Sequence, residues 1–223
     1  MTGIIFTGGE GPSPQIVRKL FEQEKSKPRC AKTIIIAADS GLLAAERAGF
    51  KPDWIIGDMD SLTELSSEAE AILACYPQEC VIRHQRDKDY TDTELAFFHA
   101  VKQNCDEIWI IGGGGGRLDH LFGIRSLFER DIFPYRWTTD TADIRCIEKN
   151  GELKIDGEKG ALVSVFPLGI GPWEAKSEGL KWALEGVSWD RGFFGLSNVA
   201  VNNGVSIVAK QGRFMVVLPY MDK

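Results

Sequence analysis

The sequence has little basic character, few histidines and no paired-cysteine motif. Lys and Arg number 26 against 32 Asp and Glu, for a formal net charge of −6, and no basic stripe runs along the chain. Nucleic acid is therefore not an expected partner, because phosphate backbones are bound through clustered Lys and Arg. An acidic protein that takes a polyphosphate must offset the repulsion with a metal ion or with local Arg and Lys. The five cysteines (Cys30, Cys75, Cys80, Cys105, Cys146) are odd in number, scattered and without a CxxC. That argues against a zinc site or a disulfide framework and for free thiols in a reducing compartment. No apolar run approaches the ~18 residues of a membrane helix. The opening MTGIIFTGGEGP lacks the basic start and long apolar core of a signal peptide and reads as a first strand. A cytoplasmic protein with no membrane partner is expected. Two nucleotide motifs are missing as well. There is no G-x-x-x-x-G-K-[ST], and no G-x-G-x-x-G with a ribose-binding acid at the right distance.

What is present divides into two rhythms. With 223 residues, 43% of them hydrophobic, the chain can bury one large core or two smaller ones. Short apolar runs at residues 3–7, 33–38, 54–56, 80–83 and 107–111 read as buried strands. Helical spacing marks residues 15–24, 91–103 and 118–128. Strand and helix in alternation predict a mostly parallel α/β sheet. After about residue 147 the segments ELKID, ALVSVFP, VSIVAK and FMVVLP are short, β-rich and separated by turn residues. KQGRF reads as a tight hairpin. The expected fold is an N-terminal α/β domain (1–147) followed by a C-terminal all-β sandwich (148–223).

Ligands of open parallel sheets sit beyond the carboxyl ends of the strands. The residues that follow the predicted strands are therefore the candidates. They are Asp39; Asp58 and Asp60; Asp87, Lys88, Asp89, Thr91 and Asp92; and, after the run IIGGGGGRLDH, Arg117, Asp119 and His120. Each has an ordinary structural alternative. Asp39 or Asp58 can cap a helix, Thr91-x-x-Glu94 fits a capping box, and the glycines can be a plain loop. Together they place carboxylates four times on one rim. Two carboxylates ~4 Å apart repel by about 4 kcal/mol at an effective dielectric of ~20, so such a cluster calls for a cation. Oxygen donors of this kind suit Mg²⁺ shared with substrate phosphates. The glycines Gly113, Gly114 and Gly115 would let backbone N–H groups approach a phosphate, and Arg117 would grip it bidentately.

The series AADSG (37–41), GDMDS (57–61), KDYTDTELA (88–96) and GGRLDH (115–120), with EGLKWAL (178–184) and LSN (196–198), resembles the thiamine pyrophosphokinase family, in order and over nearly the whole chain. The resemblance implies an α/β domain plus a β-sandwich. It implies a homodimer that moves the diphosphoryl group of ATP to the hydroxyl of thiamine, giving thiamine diphosphate and AMP. It implies that Asp58, Asp60 and Asp92 hold Mg²⁺ and, with Asp89, form the catalytic set, with Asp89 or Asp92 as the open choices for accepting the alcohol proton. Lys88, Thr91, Gly113, Gly114, Gly115, Arg117 and Asp119 would meet ATP. Asp39, Ser177, Trp182, Ser197 and Asn198 would line the thiamine pocket, Trp182 reaching across from the other subunit. Without the family, Trp182 is also readable as a core residue. The aromatic stretch Trp189 to Phe194 is readable as a lid or a dimer contact. A thiamine and nucleotide sensor without transfer, and a pyrophosphokinase for a related small alcohol, are the competing readings.

Overall fold

The fold is described from a computed structural model, which covers residues 1–25, 32–60, 67–87 and 89–220. The chain forms two compact units, Met1–Leu127 with Trp137–Asp140, and Phe128–Arg136 with Thr141 onward. The division falls before the expected 147/148 because the strand at residues 142–147 pairs with the last strand of the chain.

In the first unit the strands are β1 (Thr2–Phe6), β2 (Thr33–Ala38), β3 (Trp54–Gly57), β4 (Val81–Arg83), β5 (Glu107–Ile111) and β6 (Arg136–Thr138), the last contributing Trp137 and Thr138. They lie in the order β6-β5-β1-β2-β3-β4. The pairs β5–β1, β1–β2, β2–β3 and β3–β4 are all parallel. The helices described are α1 (Pro14–Lys25), α2 (Gly41–Ala48), α3 (Ser67–Ala74), α4 (Asp92–Lys102) and α5 (Leu118–Leu127). Alternate residues of a strand face opposite sides of the sheet, and β1 shows both sides in use. Ile4 and Phe6 pack with Val17, Leu20, Phe21, Ala45 and Ala48 of α1 and α2. Gly3 faces Ala100 of α4, where an added Cβ would lie 3.2 Å from that alanine's Cβ. Helices therefore cover both faces, which is why the strands read as continuous apolar runs. The chain winds outward from β1 through β2, β3 and β4, then returns to β1's other side as β5. That reversal is the switch point at which the loops after β1 and β5 lie side by side.

The second unit is a sandwich. One sheet has the order β11-β9-β13-β7, from β7 (Ala142–Ile147), β9 (Leu162–Leu168), β11 (Gly195–Val199) and β13 (Arg213–Pro219). The other has the order β10-β12-β8, from β8 (Glu152–Asp156), β10 (Glu174–Glu178) and β12 (Gly204–Gln211). Val163, Val165, Phe214 and Val216 from one sheet meet Leu153, Ala175, Val205 and Ile207 from the other. KQGRF is not a hairpin. β12 pairs with β8 and β10, whereas β13 pairs with β7 and β9. The chain changes sheets at Gly212, whose left-handed φ of 75° makes the corner. No helix among the described residues is long and apolar enough to cross a membrane.

Candidate functional site

The acidic side of the site is built where β2 and β3 end. Asp39, the residue after β2, is 9% exposed and has a left-handed φ of 47°, and Met59, two residues beyond β3, has a φ of 66°. Such conformations cost non-glycine residues about 1–3 kcal/mol each, a cost met where surrounding structure requires the turn. Asp39 N–H donates to the Ile56 carbonyl of the neighbouring strand at 2.9 Å, and the buried Met59 side chain anchors the second turn. Asp39 is not the cap of α2; Ser40 occupies that position and makes no side-chain capping bond. Between the two turns lies Gly57. A Cβ there would stand 3.1 Å from Cβ of Asp39 and 3.1 Å from Oδ1 of Asp92. The missing side chain thus lets three acid-bearing segments converge.

Asp92 is the first residue of α4. Thr91 caps that helix in a complete capping box: its Oγ1 accepts from Glu94 N–H at 3.2 Å, while Glu94 Oε2 accepts from Thr91 N–H at 3.0 Å. The Thr91 hydroxyl is therefore already engaged with its own helix. The next threonine, Thr93, ties α4 to the end of β1 through a 2.6 Å hydroxyl pair with Thr7. Asp58 Oδ1 accepts from Asp60 N–H at 3.1 Å, and Asp60 Oδ2 lies 3.5 Å from Nη1 of Arg86. Asp89 is exposed on the loop before α4. Lys88 lies outside the described residues.

The opposite side is the glycine run after β5. The Gly113 and Gly114 amides, expected to approach a phosphate, bond within the protein instead. Gly112 N–H donates to Thr138 O at 2.9 Å, Gly113 N–H to Gly8 O at 2.8 Å, and Gly114 N–H to Glu10 O at 2.7 Å. Glu10 N–H returns a bond to Gly114 O at 2.8 Å, so the loops after β1 and β5 form a small antiparallel bridge. A Cβ on Gly114 would fall 2.7 Å from the Glu10 carbonyl oxygen and 2.2 Å from Asp140 Oδ1. The amides of Gly113 and Gly114 are spent on this bridge. Gly115 lies against the Glu10 side chain, 2.6 Å separating its Cβ position from Glu10 Cδ. Beyond it, Arg117 and Asp119 bond to each other, Arg117 Nη2 to Asp119 Oδ2 at 2.5 Å and Nε to Oδ1 at 3.2 Å. That pairing holds the Asp119 carboxyl below, and the Arg117 guanidinium above, their ordinary values.

These two sides enclose a cleft of about 900 Å³ that lies wholly within the first unit. It brings together Asp39, Asp58, Asp89, Thr91, Asp92, Gly113, Gly114, Gly115, Arg117 and Asp119. Asp60 is not on its wall but is joined to it through Arg86, which is. The sequence reading missed Arg86 and the Thr7 to Glu10 loop. The two glycines that close β1 were the available signal for the latter. Among the described residues no three acidic, His or Cys side chains converge closely enough to hold a metal ion by themselves. Mg²⁺ needs no such cage, since it takes one or two carboxylates and completes its shell with water and phosphate oxygens. Asp92 beside Gly57, and Asp58, adjacent to Gly57 in the chain, are hard oxygen donors of the right kind. The donor set fits.

The remaining candidates lie in the second unit, each held by its own hydrogen bonds. Asn198 is buried, and its amide braces Trp182: Oδ1 accepts from Trp182 N–H at 3.1 Å and Nδ2 donates to Trp182 O at 2.6 Å. Asn198 Oδ1 also accepts from Val199 N–H at 2.9 Å. Ser177 Oγ accepts from Leu184 N–H at 3.0 Å. Ser197, exposed with a φ of 55°, donates its N–H to Ser164 Oγ at 3.0 Å. Trp182 itself is 54% exposed with Lys181 Nζ 4.6 Å from its ring centroid, so it is not a core residue. Trp189 is one: it is buried against Phe214, ring centroids 5.0 Å apart, while the rest of that stretch, Phe193 and Phe194 included, is exposed.

A family model described as thiamin pyrophosphokinase, catalytic domain, matches residues 29–132, the span that carries Asp39, Asp58, Asp92 and the glycine run. A relative from Bacillus subtilis (strain 168), named thiamine pyrophosphokinase, is 33% identical over 161 residues, 68% of this chain and 71% of that protein. The chain belongs to the thiamin pyrophosphokinase family. Thiamine pyrophosphokinase 1 of Oryza sativa subsp. japonica is 26% identical over 174 residues, 73% of this chain and 64% of that protein. Solved thiamin pyrophosphokinase structures share the fold. That from Bacillus subtilis superposes with a TM-score of 0.73 at 20% identity, covering 100% of each chain. That from Candida albicans gives 0.67 at 18% identity, over 98% of this chain and 90% of the other. The α/β unit with a separate antiparallel sandwich is thus the architecture of this family of enzymes.

Proposed function

We propose that the protein transfers the diphosphoryl group of ATP to the hydroxyl of thiamine, giving thiamine diphosphate and AMP. The observation that carries this is the convergence of Asp39, Asp58 and Asp92 around Gly57, facing Arg117 across a cleft of nucleotide size. Family membership supports it, because the relatives are named for this activity.

In this reading Asp58, Asp60 and Asp92 would hold Mg²⁺, which would neutralise charge on the ATP phosphates. The protein's own residues supply position and polarity, which is most of what phosphoryl transfer requires. Arg117 exchanges its exposed Asp119 partner for phosphate oxygens. An exposed pair contributes little, whereas an arginine–phosphate fork is short and bidentate. The thiamine hydroxyl oxygen attacks the β-phosphorus, the bond from that phosphorus to the bridging α–β oxygen breaks, and AMP departs with the bridging oxygen. The alcohol proton passes to Asp89 or Asp92. Asp89 is the better acceptor, since a metal-bound carboxylate is held in its charged form. Asp39 accepts from the pyrimidine, while Ser177, Trp182, Ser197 and Asn198 form the rest of the thiamine pocket. Trp182, standing in solvent, is suited to cover a cationic heteroaromatic ring. The protein acts as a cytoplasmic homodimer.

The test is a panel of small alcohols, thiamine among them, incubated with ATP and Mg²⁺ and analysed for AMP. AMP formed with thiamine supports the reading. AMP formed only with another alcohol moves the activity to that substrate, and thiamine bound without AMP makes the protein a sensor.

A further inference from the structure

The family motif accounts for Lys88 and Arg117 as cations toward ATP, but it does not include Arg86. Arg86 and Arg117 are the Lys or Arg residues among the described ones that line the cleft. They are used in matching ways on opposite sides. Arg117 pairs with Asp119 on the glycine side, and Arg86 pairs with Asp60 on the acidic side. In both pairs the partners are exposed, 71% and 64% for the first, 79% and 46% for the second. The Arg86 contact is the longer, at 3.5 Å against 2.5 Å. A long, solvent-exposed ion pair contributes little to stability, so giving it up costs little. A triphosphate entering this cleft meets Asp58, Asp89 and Asp92 on the Arg86 side, and a cation there is needed to admit it. Arg86 sits on the short loop from β4 to the cap of α4, beside those carboxylates, on a long side chain anchored by one weak contact.

We infer that Arg86 is a phosphate-binding residue for the β- and γ-phosphates, held in place by Asp60 until the nucleotide arrives. This rests on the reading of ATP as the phosphoryl donor.

The test is calorimetric titration of the full-length protein with α,β-methylene-ATP and Mg²⁺, and separately with AMP. The analogue carries all three phosphates but cannot be cleaved between α and β. Arg86→Ala should weaken α,β-methylene-ATP about ten- to a hundredfold, the range of a charge-assisted bond, and change AMP by less than about twofold, since AMP lacks the phosphates concerned. Arg86→Lys should recover part of the loss as a point charge. Arg86 is so exposed that its removal leaves the fold intact. Equal losses for both ligands would reduce Arg86 to a general charge effect and overturn the inference, as would no loss. Failure of the unaltered protein to bind α,β-methylene-ATP at all would overturn the ATP reading and this inference with it.

Discussion

Replacing Gly114 by alanine should damage both stability and nucleotide binding, and the structure sets the size of the damage. Gly114 is not in the left-handed region, so alanine is acceptable to its own backbone. The conflict is with the neighbours. The new Cβ falls 2.7 Å from the Glu10 carbonyl oxygen and 3.0 Å from Cβ of Thr139, and 2.2 Å from Asp140 Oδ1. Asp140 can turn away, but a backbone carbonyl cannot. The two loops must part, and the reciprocal Glu10–Gly114 bonds at 2.7 and 2.8 Å go with them. At a net ~1 kcal/mol for each bond, Gly114→Ala should cost about 2 kcal/mol, read as a lowered urea midpoint at constant slope. Because the parted loops form one wall of the cleft, KM for ATP should rise more than KM for thiamine. Gly116 provides the contrast. A Cβ there meets nothing within 4 Å, but its φ is +54°. Gly116→Ala should therefore cost about 1 kcal/mol from left-handed backbone strain alone, and Gly116→Asn less, since asparagine tolerates that region. A Gly114→Ala protein within about 0.5 kcal/mol of the parent, with unchanged KM for ATP, would refute the bridge as the reason for the glycines.

Further outcomes are expected. Asp92→Asn should lower kcat at least about a hundredfold while leaving the circular dichroism spectrum unchanged, as loss of a metal-holding carboxylate implies; turnover within tenfold would remove Asp92 from the metal set. Trp182→Ala should leave stability unchanged but raise KM for thiamine, because the ring is exposed. Asn198→Ala should cost about 2–3 kcal/mol through its three lost bonds, so the reverse order in a melting experiment would contradict the brace. Burial pushes the Cys146 thiol up to about 12 and raises that of Cys105, while Cys75 is exposed. Ellman's reagent at pH 8 should then label Cys75 readily and Cys146 and Cys105 only on unfolding. Because the folded state holds these protons, the associated stability is fully present below the ordinary thiol value of about 8.5 and is lost as pH rises toward 12.

Local pattern carried the sheet of the first unit well. Residues 33–38 and 107–111 are the observed β2 and β5, because strands covered on both faces are uninterrupted apolar runs. β7 was not legible at the boundary because ADIRCI carries Asp143 and Arg145. Asp143 binds the buried Arg136 through Nε at 2.6 Å and Nη2 at 2.8 Å, and Arg145 Nε at 2.8 Å. Charges that read as surface are in fact paired within the second unit. α2 went unread because eight residues hold only two helical turns. KQGRF misled for a related reason: a glycine between two strands marks a sharp change of direction but not whether the strands pair.

The acids of the site were legible as strand-end residues, and Asp39, Asp58, Asp89, Asp92 and Asp119 line the cleft, although Asp60 does not. Thr91 caps its helix, as its capping-box spacing allowed. Two features depended on long-range geometry that no local window contains. The glycine amides turn inward to a loop about a hundred residues earlier in the chain. Arg86 reaches the cleft from a loop whose sequence reads as plain charge.

The most direct test of the account is phosphorus NMR of the protein with ATP, Mg²⁺ and thiamine. The account predicts AMP and thiamine diphosphate growing together as ATP declines, the signature of cleavage between the α- and β-phosphates. ADP with thiamine monophosphate would contradict it, showing transfer of the γ-phosphoryl group alone.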